Sequence, residues 1–339
     1  MYSIQEDIKT IINTCSNEGE VFDNKTILVT GGAGFVGSWI CDVLIGLGGR
    51  VLCLDNFSSG RNANIEHLLK LDKFIFKEGD ISEPISFNED IDVVLHFASR
   101  ASPLEFAKFP IEILKANTFG TYNALTISNK NDATFVYAST SEVYGNPDPQ
   151  YIPTSESYNG NVNPVGVRSC YDESKRVGES FVMAFHSKYS VDSRILRIHN
   201  TYGPRMRAGD VYGRVVTRFI DQALNGNHLS LFGDGLQTRS FTYITDLIRG
   251  IITAAYKKNI SGTILNLGSP WEMTISELAK IIIQITGSKS IIEHFSLPPD
   301  DPLRRCPNIS RAKKTLNWEP KVQLADGLRN TIDWNRQNK

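Results

Sequence analysis

The chain has 339 residues, 41% hydrophobic and 22% charged, with a formal net charge of -1. That is an ordinary globular composition, long enough for one large unit or two smaller ones around a substantial core. The near-neutral balance argues against a nucleic-acid partner or an anionic membrane surface, while leaving room for a local basic pocket.

The N-terminal stretch SIQEDIKTIINTC has Ile4, Ile8, Ile11 and Ile12 at helical spacing. It lacks the long apolar core of a signal peptide or membrane span and reads as a short amphipathic helix docked on the main body. Strands and helices then alternate. KTILVT is a strand, GFVGSWICDVLIGLGG a helix, RVLCLD a strand, NIEHLLKL a helix, FIFKEGD and VVLHFAS strands. A long helix is expected over about 104–128, followed by strand TFVYAST, helix YDESKRVGESFVMAFHSKY and strand SRILRI. This alternation predicts an α/β fold, a Rossmann-type doubly wound parallel sheet covered on both faces. After about residue 199 Gly-, Pro- and Arg-rich loops break the rhythm, with helices VVTRFIDQALNG and TISELAKIIIQITG and one more strand, TILNLGS. Thr274 and Glu277 have capping-box spacing. The expected organisation is an N-terminal extension over 1–24 and a Rossmann domain over 25–198 and 241–270. A smaller C-terminal α/β domain that covers the ligand is expected over 199–240 and 271–339.

Five cysteines are scattered without a CxxC pair, so reduced thiols in the cytoplasm are expected rather than a disulfide frame or a metal site. Cys170, beside Tyr171, reads as a small packed residue rather than a thiol nucleophile.

Gly31, Gly34 and Gly37 lie between the first strand and its helix. Glycines there let backbone and helix N-terminus approach a pyrophosphate. Asp55 ends the second strand, where it can accept hydrogen bonds from ribose hydroxyls and repel a 2′-phosphate, which favours NAD over NADP. Asp80, after the third strand, reads either as an adenine contact or as a turn residue. Tyr171 and Lys175 share one face of a predicted helix. A lysine ammonium lowers a phenol pKa, and a phenolate beside a sugar hydroxyl is a general base for hydride transfer to nicotinamide. Thr140, at the end of the fifth strand, can bond the same hydroxyl.

TGGAGFVG, DNFSSGR, LHFAS, NTFGT, STSEVYG, CYDESKR, NTYGPRM and the R-x-F-x-Y-x-x-D-L run from Arg239 to Leu247 together resemble an extended short-chain dehydrogenase/reductase acting on nucleotide sugars. The likeness covers about residues 25–337. NPVGVRSCYDESKR, GPRMRAGDVYGRVV and DDPLRRCP make the chain most similar to the UDP-glucuronate decarboxylase (UDP-xylose synthase) family. That resemblance implies oxidation of C4 of a UDP-linked hexuronic acid by NAD, loss of the C5 carboxylate as carbon dioxide from the β-keto acid, reprotonation, and hydride return. It also implies a homodimer, through the helices over about 104–128 and 171–189.

Carried over by position, the resemblance makes Glu142 and Arg305 the pair that handles the carboxylate and the proton at C5, with Arg304 a register slip away. Ser141 would lie beside the sugar and Asn117 near the nicotinamide end. Phe35, Val36, Asn56, Ser59, Ile81 and Ala98 join the cofactor-facing set. Asn200, Arg205, Gln237 and Tyr243 join the substrate-facing set. Arg214 and Arg239 are natural diphosphate clamps, because guanidinium matches phosphate bidentately.

Three positions depart from the family pattern. Arg100 replaces a proline, Phe106 replaces a tyrosine near the carboxylate, and His199 replaces an aromatic or aliphatic residue. A packed, hydrogen-bonded histidine is expected at 199. Three other readings stand beside the decarboxylase. A 4-epimerase needs no Glu142–Arg305 pair. A 4,6-dehydratase needs an acid where Ser141 stands. A catalytically silent NAD-binding regulator would not need Thr140, Tyr171 and Lys175.

Overall fold

The structure is a computed structural model that describes residues 2–16, 21–207, 214–297 and 303–338. Parts of two stretches noted above, 208–213 in GPRMRAGDVYGRVV and 298–302 in LPPDDPLRRCP, lie outside the described residues.

Helix α1 (Ile4–Ser16) precedes β1 (Thr26–Thr30), α2 (Phe35–Gly46), β2 (Arg50–Asp55), β3 (Phe74–Glu78), β4 (Val93–His96), α3 (Pro103–Lys108), α4 (Pro110–Asn131), β5 (Thr134–Thr140), α5 (Ser169–Tyr189) and β6 (Ser193–Ile198). The rest comprises β7 (Thr201–Tyr202), α6 (Val215–Leu224), β8 (Leu229–Phe232), β9 (Thr238–Ser240), β10 (Thr242–Tyr243), α7 (Ile244–Tyr256) and β11 (Thr263–Leu267). Then come β12 (Glu272–Thr274), α8 (Ile275–Thr286), β13 (Ile292–Phe295), β14 (Arg304–Arg305), α9 (Ser310–Leu316) and α10 (Leu324–Gln337).

Seven strands form one parallel sheet in the order β11-β6-β5-β4-β1-β2-β3. Alternate residues of each strand face opposite layers. Ile27 and Val29 join one core with α1, α2 and α7, whereas Leu28 joins another with α4 and α5. Both faces are covered, which is why these strands read as continuous apolar runs. The strand order reverses between β1 and β4, and a ligand crevice is expected there, beyond the carboxyl ends of the strands.

Helix α1 buries Ile8, Ile11 and Cys15, as its periodicity predicts. The predicted capping box of α8 is present, with the Thr274 side chain accepting from the Glu277 N–H and Glu277 reaching back. Two expected elements differ. NIEHLLKL is not an α-helix: a 3-10 turn over Asn62–Asn64 leads into further turns. That turn is held by Asn64 Nδ2, which donates to the Ala33 carbonyl, while Ile65 and Leu68 fill the core. The expected long helix over 104–128 is broken at Phe109, because Pro110 cannot donate a helical hydrogen bond and starts a new helix at its first position. Helices α7, α9 and α10 and the short strands around β9 were not legible in the sequence pattern.

Candidate active site

One cavity of about 950 Å³ opens along the carboxyl ends of β1, β2, β4, β5 and β6. Its cofactor end is built on the first strand–turn–helix unit. Gly31 has φ +73°, and a Cβ there would meet Ala98 N at 2.7 Å. A Cβ on Gly37 would run into the Gly31 carbonyl, so only glycine lets α2 seat against the loop. Gly34 caps α2, whose N-terminus faces the cavity. At the end of β2, Asp55 Oδ2 accepts from Ala33 N at 2.9 Å and Oδ1 from Phe57 N at 2.8 Å. Burial raises its carboxyl above the usual range, against those bonds. Asp80 accepts from Ser82 and, at 3.0 Å, from Asn56 Nδ2. Burial opposes ionisation there, but these bonds outweigh it and lower the pKa. Phe35, Val36, Ser59, Ile81 and Ala98 complete this wall. The glycine cradle, helix N-terminus and strand-end carboxylate fit a dinucleotide such as NAD.

The middle of the cavity carries Thr140, Ser141, Tyr171 and Lys175. Lys175 Nζ donates to the Ala138 carbonyl at 2.8 Å and stands 6.0 Å from the centre of the Tyr171 ring. Burial brings its pKa down to about 7. The expected lowering of the Tyr171 pKa does not hold in the ligand-free protein. Burial raises it, the Glu142 charge adds to the rise, and the Thr140 hydroxyl only partly opposes. The phenol is therefore protonated at neutral pH.

Beyond Tyr171, Arg305 meets Glu142 through two nitrogens, one of them (Nη2) at 3.0 Å from Oε2. Strand alternation settles the register of the two arginines. Arg305 is buried in the cavity wall, while Arg304 turns outward to Glu272 at 2.7 Å. A second guanidinium, Arg168, also donates to Glu142 Oε2. Its Nε lies 3.6 Å from Asp172. Burial works against ionisation of Glu142, but Arg305 and then Arg168 outweigh it and hold the carboxyl near 2. Burial and the Glu142 charge push Asp172 up to about 7. Sequence reasoning missed Arg168 and Asp172. The signal available was spacing: Arg168 stands one helical turn before Tyr171, on the same face.

At the far end, Asn200, Arg214, Arg218, Gln237 and Arg239 line the cavity. Asn200 Nδ2 is buried with no hydrogen-bond partner among the described residues. Arg214 lies over the Phe35 ring at 5.9 Å and Arg218 over Phe232 at 4.7 Å. Gln237 Nε2 donates to the Phe232 carbonyl at 2.6 Å.

Two expected contacts need correction, and a third, Arg205, is in place but already paired. Tyr243 is outside the cavity: its hydroxyl is buried and donates to Asp7 of α1 at 2.7 Å. Asn117 is fully buried behind the wall, where Nδ2 donates to Ser174 Oγ at 2.9 Å. Arg205 lines the cavity, but its charge is spent on Asp42 at 2.5 Å. Of the departures, Arg100 is held by Glu105 at 2.7 Å and lies over Phe109. Phe106 stacks on Tyr171, with centroids 5.0 Å apart at 14°. His199 is packed, but neither ring nitrogen has a hydrogen-bond partner among the described residues. Burial and then the Arg305 charge bring its pKa down to about 3, so it is neutral.

Residues 27–268 match the model of the NAD dependent epimerase/dehydratase family. The chain belongs to that family. It is 46% identical over 315 residues to UDP-glucuronic acid decarboxylase 1 of Xenopus tropicalis, covering 93% of this chain and 73% of that one. It is 44% identical over 302 residues to UDP-glucuronic acid decarboxylase 1 of Arabidopsis thaliana, covering 89% and 68%. Among solved structures, UDP-glucose 4-epimerase of Thermotoga maritima with UDP-glucose superposes with a TM-score of 0.85 at 29% identity, over 92% of this chain and 99% of that one. UDP-glucuronic acid 4-epimerase of Bacillus cereus, in complex with UDP-glucuronic acid and NAD, gives 0.81 at 31%, over 93% and 100%.

Proposed function

We propose that this family member is a carboxy-lyase that converts UDP-glucuronate to UDP-xylose through a 4-keto sugar. The observation that carries the reading is the two-point pairing of Arg305 with Glu142 beside Tyr171. Inversion at C4 has no use for it, and the chain's relatives bearing the decarboxylase name are 42–46% identical.

NAD is the cofactor; Gly31, Gly34, Gly37 and Asp55 would hold it, and when bound it would supply reversible hydride acceptance at C4. Tyr171, a protonated phenol in the ligand-free protein, would take the C4 hydroxyl proton only after losing its own once the cofactor's positive nicotinamide ring is in place, while Thr140 shares the bond to that oxygen. Lys175 is held one turn away by Ala138 and sets the local charge. Once C4 is a ketone, the C5 carboxylate is β to a carbonyl, and its bonding pair can pass into an enolate as carbon dioxide leaves. Glu142 is ionised and has no proton to give. Its role with Arg305 is to assist loss of the C5 carboxylate and then to orient the solvent-derived donor that protonates C5. Asn200, Arg214, Gln237 and Arg239 would hold the nucleotide diphosphate. The seven-stranded sheet would serve as the cofactor unit, and the part carrying α6, β8, β9 and α8 as the substrate unit.

We further propose a homodimer through α4 and α5, which expose Ile111, Phe119, Tyr122, Val177 and Met183. A cytoplasmic location is supported by the buried thiols of Cys41, Cys53, Cys170 and Cys306, which a reducing compartment preserves.

Purified protein with NAD and UDP-glucuronate in D₂O should release carbon dioxide and give UDP-xylose bearing one deuterium at C5, read by mass and NMR. UDP-galacturonate without carbon dioxide would identify a 4-epimerase instead.

A further inference from the structure

The reaction end of the cavity contains one residue that the scheme above leaves without a task. Arg168 begins the turn that leads into α5, three residues before Tyr171. Its guanidinium lies 5.6 Å from the centre of the Phe106 ring, and that ring stacks on Tyr171. Arg168, Phe106 and Tyr171 therefore form a fixed ladder, with the cation one helical turn from the phenol.

Charge sharpens the point. Glu142 is a single carboxylate facing two guanidiniums, Arg305 and Arg168. The next acid, Asp172, reaches Arg168 at only 3.6 Å. Its carboxyl is pushed up to about 7 by burial and by Glu142, so near neutrality it offsets the excess only in part. His199, also in the wall, is neutral, and Lys175 is bonded to the Ala138 carbonyl. A positive excess in a largely buried pocket favours an anionic ligand group.

We propose that Arg168 is a specificity-determining residue that binds the C5 carboxylate of the hexuronic acid and so selects acidic over neutral nucleotide sugars. This rests on the decarboxylase reading of the site. Tyr171 addresses the oxygen on C4, and C5 is bonded to C4, so a carboxylate on C5 lies within reach of the guanidinium pair that surrounds Glu142 next to Tyr171. Phe106 offers no hydroxyl to that carboxylate; the guanidinium over its ring supplies the donors. The contact belongs to the ground state. As carbon dioxide forms, negative charge moves away toward the C4 oxygen, so losing Arg168 raises KM more than it lowers kcat. The neutral product no longer engages the arginine, which eases its release.

The test is calorimetric binding to the NAD-loaded full chain on a Tyr171→Phe background, which binds without turnover. Arg168→Met should weaken UDP-glucuronate by about ten- to a hundredfold, the range of a charge-assisted hydrogen-bonded pair. UDP-glucose and UDP-xylose should change by less than about threefold. Arg168→Lys keeps the charge and should recover part of the loss. Equal weakening of all three ligands would reduce Arg168 to a support for Glu142, and no weakening would place the carboxylate elsewhere; either result overturns the proposal. If acid selectivity depends on Arg168 but the parent releases no carbon dioxide, the decarboxylase reading fails and the binding role stands.

Discussion

Arg305 and Glu142 lie 163 residues apart in the chain, yet their guanidinium and carboxylate meet at two points in the cavity wall. The meeting is made by pairing β14 in parallel with β9, which sets Arg305 opposite Arg239. It carries the first prediction. Glu142→Gln keeps the shape but removes the charge that Arg305 and Arg168 surround. The variant should still oxidise C4, seen as NADH absorbance, while carbon dioxide release falls by about a hundredfold or more. Decarboxylation at the parent rate would remove Glu142 from the mechanism.

Asp172 makes stability depend on pH. Its folded pKa is raised from 3.8 to about 7, chiefly by burial. A raised value means that the stabilising contribution is complete below the unfolded pKa and is lost as pH rises through about 7. Asn cannot titrate. Relative to the parent, Asp172→Asn should therefore gain stability steadily from pH 5 to pH 8 and then level off, by on the order of 1–3 kcal/mol. Thermal melts across that range measure it, and a pH-independent difference would show that Asp172 titrates normally.

The third prediction concerns the outer face of α4 and α5. Phe119 is 57% exposed and Tyr122, nearby on α4, 49% exposed. Such a face is costly to leave in water, which is why it is the surface proposed for the dimer. Phe119→Glu should convert a species of twice 37.8 kDa into one of 37.8 kDa by light scattering. A parent that is already monomeric at micromolar concentration would refute the dimer.

The cofactor end was legible because its physics is local. Gly31, Gly34 and Gly37 sit within one turn, and Asp55 ends a strand whose apolar run announces it. Tyr171 and Lys175 likewise lie on one helical face. The substrate end was legible only by resemblance, and there the errors cluster. Tyr243 stands in a substrate-like motif but is claimed by Asp7, from a helix at the other end of the chain. At the cofactor end, Asn117 was placed by resemblance near the nicotinamide, yet the packing of α4 against α5 encloses it against Ser174. Arg205 lines the cavity as expected, but it is also paired with Asp42 of α2, a contact that the sequence did not indicate.

Local periodicity and short-range motifs were enough to specify a parallel sheet, a phosphate cradle and a phenol–lysine couple, because each depends on neighbours within a few residues. Which of two adjacent arginines faces inward, which second cation reaches Glu142, and how far burial moves the Tyr171 and Asp172 protons were decided only when distant strands closed over the cavity. Desolvation and pairwise charge depend on what surrounds a group in space, and chain position alone does not carry that information.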